Sequence, residues 1–187
     1  MDTKIIVKYT GAAKAPEYKS KGAHCADVYL EEDVTIFPGE IVIAKTGLHT
    51  EIPAGYGARL LERSSMPVGS RVTVKAGTID SDYRNEWGVV LYKLPGITMI
   101  NALKIGIEKT KTQAPNDSGA IGLCKRWKSI FKRAVDEYII SNRPMTYRKG
   151  DRIAQVKFEP TVHVEFERNG ELSKSERNLG GFGSTGK

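Results

Sequence analysis

Short β-rich runs broken by turn formers dominate this chain and limit what it can fold into. KIIVKY, DVTI, EIVIA, ARLLE, RVTVKA, GVVLYK, RIAQVKFE and VHVEFE are separated by punctuators such as Pro38-Gly39, Pro53-Ala54-Gly55 and Asn169-Gly170. None of these runs is long enough for an ordinary helix, and no strand–helix–strand alternation links them, so a sandwich, jelly roll or barrel is expected rather than a parallel α/β sheet. The 187 residues suit one domain over 1–187 with a single core. Hydrophobic residues make up 40% and charged residues 27%, which disfavours disorder. No run reaches the roughly 18 apolar residues of a membrane span, and the start, MDTKIIVKYT, has no apolar signal region, so a cytoplasmic location without membrane contact is expected.

One stretch departs from the β pattern. Over Leu94–Thr146, Trp127, Ile130, Phe131, Ala134, Val135 and Tyr138 recur at the spacing of one helix face, which predicts a helix from about Leu123 to Ile140. Thr112–Gly122, rich in Gly, Pro, Asn, Asp and Ser, is expected to be a loop, and Pro144 blocks helix beyond Arg143. An insertion over 94–146 in a β domain results. Its apolar helix face is expected to pack on the β core. Most of the net charge of +7 is local, because Ile97–Arg143 holds nine Lys/Arg against four Asp/Glu. No base-reading motif accompanies that cluster, so nucleic acid is an unfavoured partner.

Several segments carry chemistry. Gly77-Thr78-Ile79-Asp80-Ser81-Asp82-Tyr83 lies between RVTVKA and GVVLYK, where a hairpin would present acids, a ring and backbone groups at one rim. Arg63-Ser64-Ser65 joins a forked cation to two hydroxyls, a set suited to phosphate oxygens. Gly150-Asp151-Arg152-Ile153-Ala154-Gln155 places a polar Gln155 among apolar strand residues. The end, Arg177-Asn178-Leu179-Gly180-Gly181-Phe182-Gly183-Ser184-Thr185-Gly186, combines glycines for close approach with hydroxyl donors, a cation and a ring that could stack on a base. Taken singly, each has a bland alternative: an acidic turn, a serine turn, an exposed strand residue and a solvated tail.

Taken in chain order, with His24-Cys25-Ala26-Asp27-Val28 ahead of them, these segments resemble the five motifs of the trimeric dUTPase family. His24-Cys25-Ala26-Asp27-Val28 is similar to A-G-Y-D-L, Arg63-Ser64-Ser65 to P-R-S-G, Gly77–Tyr83 to G-x-I-D-x-D-Y, Gly150–Gln155 to G-D-R-I-A-Q, and Arg177–Gly186 to R-G-x-G-G-F-G-S-T-G. The sequence departs from the pattern at Glu62, where the family has Pro, at Asn178, where it has Gly, and through most of the first motif apart from Asp27. The insertion resembles extra segments of some bacteriophage dUTPases, which implies a phage or prophage origin.

The resemblance implies a jelly-roll-like β-barrel, a homotrimer that exchanges C-terminal arms, and hydrolysis of dUTP to dUMP and pyrophosphate with Mg²⁺. Asp80 is then the general base, Asp27 the outer-sphere metal contact, and Arg63, Ser64, Ser65, Gln155 and Arg177 the phosphate contacts. Tyr83 would lie against deoxyribose and exclude a 2′-hydroxyl. Main chain from Val74 through Gly77, Thr78 and Ile79, and again at Gly88, would read uracil, with Phe182, Gly183, Ser184 and Thr185 closing the site from another copy.

Two rivals stand beside this reading. A dCTP deaminase shares the fold and an R-S-S segment but needs an acid in the strand after the hairpin, where this chain has Val89-Val90-Leu91-Tyr92-Lys93. A regulatory module would use the insertion to bind a protein partner. Cys25 and Cys124 lack metal spacing and are expected to be free thiols, and His24, His49 and His163 form no zinc pattern.

Overall fold

Burial alternates residue by residue along Gly88–Lys93, with Val89, Leu91 and Lys93 inside, so one face of this strand packs on the core. The computed structural model describes residues 4–12, 14–111, 120–168, 170, 173 and 174. Its strands, in chain order, are β1 (Lys8–Gly11), β2 (Ala26–Tyr29), β3 (Val34–Ile36), β4 (Ile41–Lys45), β5 (Leu48–Glu51), β6 (Tyr56–Leu61), β7 (Val72–Lys75), β8 (Thr78–Ile79), β9 (Gly88–Lys93), β10 (Met145–Tyr147) and β11 (Arg152–Pro160). Two helices, α1 (Met99–Lys111) and α2 (Ala120–Asn142), lie between β9 and β10. The expected all-β fold with a helical insertion is present.

The strands form antiparallel ladders in the orders β2-β11-β6-β8, β4-β9-β7, β1-β5 and β10-β3. These surround one core containing Ile36, Leu48, Trp87, Val89, Leu91, Ile153 and Val156. The described strands do not close into a continuous ring, because most are only two to six residues long and their ladders end before reaching the next sheet. Trp87 is fully buried and still satisfied: its indole N–H donates to Thr50 Oγ1 (3.1 Å), and its carbonyl accepts from the Thr46 hydroxyl (2.7 Å).

Two runs behave differently from their pattern: of KIIVKY only Lys8 and Tyr9 lie in a strand, and residues 4–7 precede it. VHVEFE alternates like a strand, yet residues 161–168 form none, and Val162, Val164 and Phe166 are 80%, 64% and 92% exposed. Alternation gives a segment two faces but cannot supply the neighbouring strand that would pair with it.

The helices correct the sequence reading twice. Ala120–Gly122, expected in a loop, opens α2, while residues 112–119 lie outside the described part. The apolar face of α2 does not pack on the β core. It packs on α1, where Gly106 comes so close that an added Cβ would lie 2.8 Å from the Ile130 carbonyl oxygen. Ala102, Ile130 and Ala134 fill that seam, and Trp127 and Phe131 remain 62% and 61% exposed. The helix's apolar arc is wider than the seam, so the rings fall on its open flank. At the base of this hairpin Asn142 donates its side-chain amide to the Ile97 carbonyl (2.8 Å) and lies against Gly96, which joins entry to exit.

Candidate active site

Three of the five sequence segments meet where β2, β11 and β6 run side by side. Gln155 of β11 lies opposite Asp27 of β2 and Leu61 of β6. The Asp27 carboxylate, 8% exposed, faces Arg63 Nε at 3.3 Å and Arg152 Nη1 at 3.0 Å, while Arg63 Nη1 donates to the Arg152 carbonyl oxygen at 3.0 Å. A nearly buried anion therefore holds two guanidiniums at the edge of the sheet. The Gln155 amide donates to the Glu62 carbonyl (2.9 Å), so its N–H fixes the chain just before Arg63.

Ser64 and Ser65 stand exposed beside these cations, and the Ser65 hydroxyl makes no capping bond to the π-helical turn Met66–Ser70 that follows. Neighbouring contacts hold the cluster in place. Glu17 bridges Asp27 through paired backbone bonds (3.1 and 2.9 Å) and carries Lys19, Lys14 and the Tyr29 hydroxyl on its carboxylate. The Lys19 contact, then Lys14 and Tyr29, pull the Glu17 pKa down to about 2. On the other side Asp33 accepts from the Lys149 backbone N–H (2.8 Å) and pairs with Arg148, which holds its carboxyl below the usual range and fixes the turn into Gly150-Asp151.

Asp80 lies elsewhere. The β7–β9 ladder forms the expected hairpin and its pairing ends at Lys75 and Val90. Beyond that point Ala76 turns at φ 48°, and Gly77 passes so near β6 that its carbonyl accepts from Leu60 N–H at 2.7 Å. A Cβ on Gly77 would lie 2.3 Å from the Leu60 carbonyl oxygen, so glycine is required by space. β8 pairs with β6, Ile79 anchors it in the core, and Asp80 emerges exposed into a tight turn closed by Tyr83 N–H on its carbonyl (3.2 Å). Tyr83 is half out of the surface with its hydroxyl on the Glu86 carbonyl (3.0 Å), which leaves a ring face open. Val74 and Gly88 flank the mouth where the ladder opens.

A cleft of about 620 Å³ lies at Asp80, and Arg59, Glu159, Thr161 and His163 also line it. Sequence reading did not find those four: Arg59 lies on β6 beside β8, Glu159 on β11 one strand farther, and Thr161 and His163 just after it, so the fold and not the sequence brings them to Asp80. Asp80 and the Asp27–Arg63–Gln155 cluster lie at different ends of β6. Four residues along that strand and two ladder spacings across it separate Asp80 from Gln155 by roughly 16 Å. Arg177, Phe182, Gly183, Ser184 and Thr185 lie outside the described residues. Both cysteines are free thiols, as expected.

Two guanidiniums with two exposed hydroxyls at one place, and an exposed carboxylate at another, suit a nucleotide hydrolase. β9 carries no acid, and Glu86 just before it is tied to the Gly47 N–H (2.8 Å), which leaves the deaminase rival without its acid in that strand. The dUTPase family profile matches residues 12–102 and 132–186, leaving out residues 1–11, the part of the helical hairpin over 103–131, and residue 187. A Nautilia profundicola protein named deoxyuridine 5'-triphosphate nucleotidohydrolase is 34% identical over 184 residues, 97% of each chain. The solved dUTPase of Staphylococcus bacteriophage 80alpha with dUPNHPP matches at TM-score 0.68 and 22% identity, over 98% of this chain and 100% of that one. A mutant dUTPase from phage phi11 of S. aureus, solved with a structural Mg(II) ion, matches at TM-score 0.61 and 18% identity, over 91% and 100%. The chain belongs to the dUTPase family and is an enzyme of that family, a hydrolase of dUTP.

Proposed function

We propose that the protein converts dUTP to dUMP and pyrophosphate in sites that each draw on three copies of the chain. The observation that carries this is the gap of roughly 16 Å between Asp80 and Gln155. In-line attack needs the base, the water and the phosphorus within contact, near 3–3.5 Å between reacting atoms, so Asp80 of one copy must meet Arg63, Ser64, Ser65 and Gln155 of another. The strand-patterned and exposed 161–168 segment supports the same reading, because a neighbouring chain that pairs with it would cover its apolar side chains. It would lead Arg177 and Phe182–Thr185 onto a third.

In the assembled site Asp80 accepts a proton from water as the water oxygen attacks the α-phosphorus and pyrophosphate leaves. Arg63 and the serine hydroxyls bind the phosphates, Tyr83 packs on deoxyribose and rejects a 2′-hydroxyl, and main chain at Val74–Ile79 and Gly88 pairs with uracil. Cytosine would leave two of those buried groups unpaired. The described residues include no group of three His, Cys, Asp or Glu that could cage a metal. Each Asp27 oxygen meets one arginine and keeps acceptor capacity for a metal-bound water, which fits Mg²⁺ held chiefly by substrate and its own hydration. When bound, the ion offsets triphosphate charge. Such an enzyme limits uracil in DNA and supplies dUMP for dTMP synthesis.

Pyrophosphate release with dUTP, UTP, dCTP and dTTP tests the reading: only dUTP should react, and Asp80→Asn should lose about 10²–10⁴-fold. Mixing two inactive variants, Asp80→Asn and Arg63→Ala, after partial unfolding should restore activity, because some sites then receive both intact halves. A fully active monomer would end the proposal. A second role, binding a protein partner through the insertion, is favoured by the exposed Trp127 and Phe131; deleting the hairpin and measuring turnover beside partner capture separates the two.

A further inference from the structure

Arg71 is an arginine where the backbone asks for glycine. Its φ of 58° and ψ of 33° place it in the left-handed region, and its Nε is buried without a hydrogen-bond partner. Two unfavourable features at one residue need a compensating contact. That contact is on the helical hairpin: Nη1 donates to Glu137 Oε1 (3.2 Å) and Ser141 Oγ (2.9 Å) of α2, and Lys109 of α1 holds the other Glu137 oxygen (2.9 Å).

Arg71 also ends the π-helical turn that begins directly after Arg63-Ser64-Ser65. Met66 N–H donates to the Arg63 carbonyl (2.9 Å), and the turn closes with the Ser70 hydroxyl on the Met66 carbonyl (2.8 Å). Both chain ends of the hairpin grip this turn. Leu94 N–H donates to the Arg71 carbonyl (2.9 Å), Lys93 Nζ to the Ser70 carbonyl (2.8 Å), and the Tyr147 hydroxyl pairs with Ser70 Oγ (2.8 Å). A shift of α2 therefore has one short rigid route to the phosphate-binding serines.

We propose that Arg71 is a positioning residue for dUTP hydrolysis, through which the helical hairpin sets the placement of Arg63, Ser64 and Ser65 on the triphosphate. The proposal rests on the dUTPase reading. It places the effect on the phosphates, since the uracil and sugar contacts belong to the β7–β9 hairpin.

The test compares wild type, Arg71→Gly, Glu137→Gln with Ser141→Ala, and all three changes together. Glycine suits the left-handed backbone, so Arg71→Gly keeps the fold while cutting the link. Expected are a rise of about tenfold in KM for dUTP, which one lost charged hydrogen-bond pair can produce, a kcat within twofold, and unchanged inhibition by deoxyuridine, which lacks the phosphates. The combined variant should be no worse than Arg71→Gly alone. Additive effects, equal weakening of deoxyuridine and dUTP, or wild-type kinetics in Arg71→Gly would each overturn the coupling. A wild type that releases no pyrophosphate from dUTP would instead overturn the reading beneath it.

Discussion

Gly77→Ala tests how tightly the loop that presents Asp80 is built onto the central strand. The added Cβ would stand 2.3 Å from the Leu60 carbonyl oxygen, with the Leu60 carbonyl carbon and Cβ both at 3.1 Å. These are mostly backbone atoms of β6, whose other edge is laddered to β11, so no side-chain rotation relieves the clash. If the loop stays in place, overpacking costs about 1–3 kcal/mol, and stretching the 2.7 Å bond from Leu60 N–H to the Gly77 carbonyl adds about 1. If the loop yields instead, stability is spared but Asp80, three residues on, moves by an ångström or so, which lowers kcat about 10²-fold. Urea unfolding and dUTP turnover measured on the same preparations distinguish the two routes. A variant within about 0.5 kcal/mol of wild type that keeps full turnover would refute the close-approach argument.

The Glu17 cluster and the hairpin seam give two further expectations. The Glu17 pKa falls from 4.5 unfolded to about 2 folded, so its stabilisation is complete above pH 4.5 and disappears as pH falls through about 2. Thermal unfolding from pH 7 to pH 2 should show wild type ahead of Glu17→Gln at neutral pH and the two converging at the acid end; parallel curves would remove the linkage. In the hairpin, Ile130→Ala should cost about 2–4 kcal/mol because Ile130 is buried in the seam, whereas Trp127→Ala and Phe131→Ala should stay within about 0.5. Large losses at the two aromatics would mean that α2 buries the face the sequence suggested.

Most of the strands and the long helix were legible because their signals are local. Alternation marked β7 and β9, and the 3.6-residue period marked α2. What depends on distant partners was not legible. The apolar period of α2 shows which side is apolar but not what covers it, and α1 went unread partly because Gly106, a poor helix former, is present for the close crossing with Ile130. VHVEFE has a strand's pattern and no strand beside it. Asp27 reads as a lone acid in the sequence, and only the fold brings Arg63 and Arg152 onto it from 36 and 125 residues away.

The meeting of Gly96 and Ile97 with Asn142 gives the insertion the character of a removable cassette. Its two stumps already touch, so a short turn could reseal the chain and leave the ladders of β9 and β10 in register. Arg71 would then lose Glu137 and Ser141 and keep only its awkward backbone. A descendant that shed the cassette should therefore drift to glycine at this position, and one that acquires a longer cassette should keep the arginine.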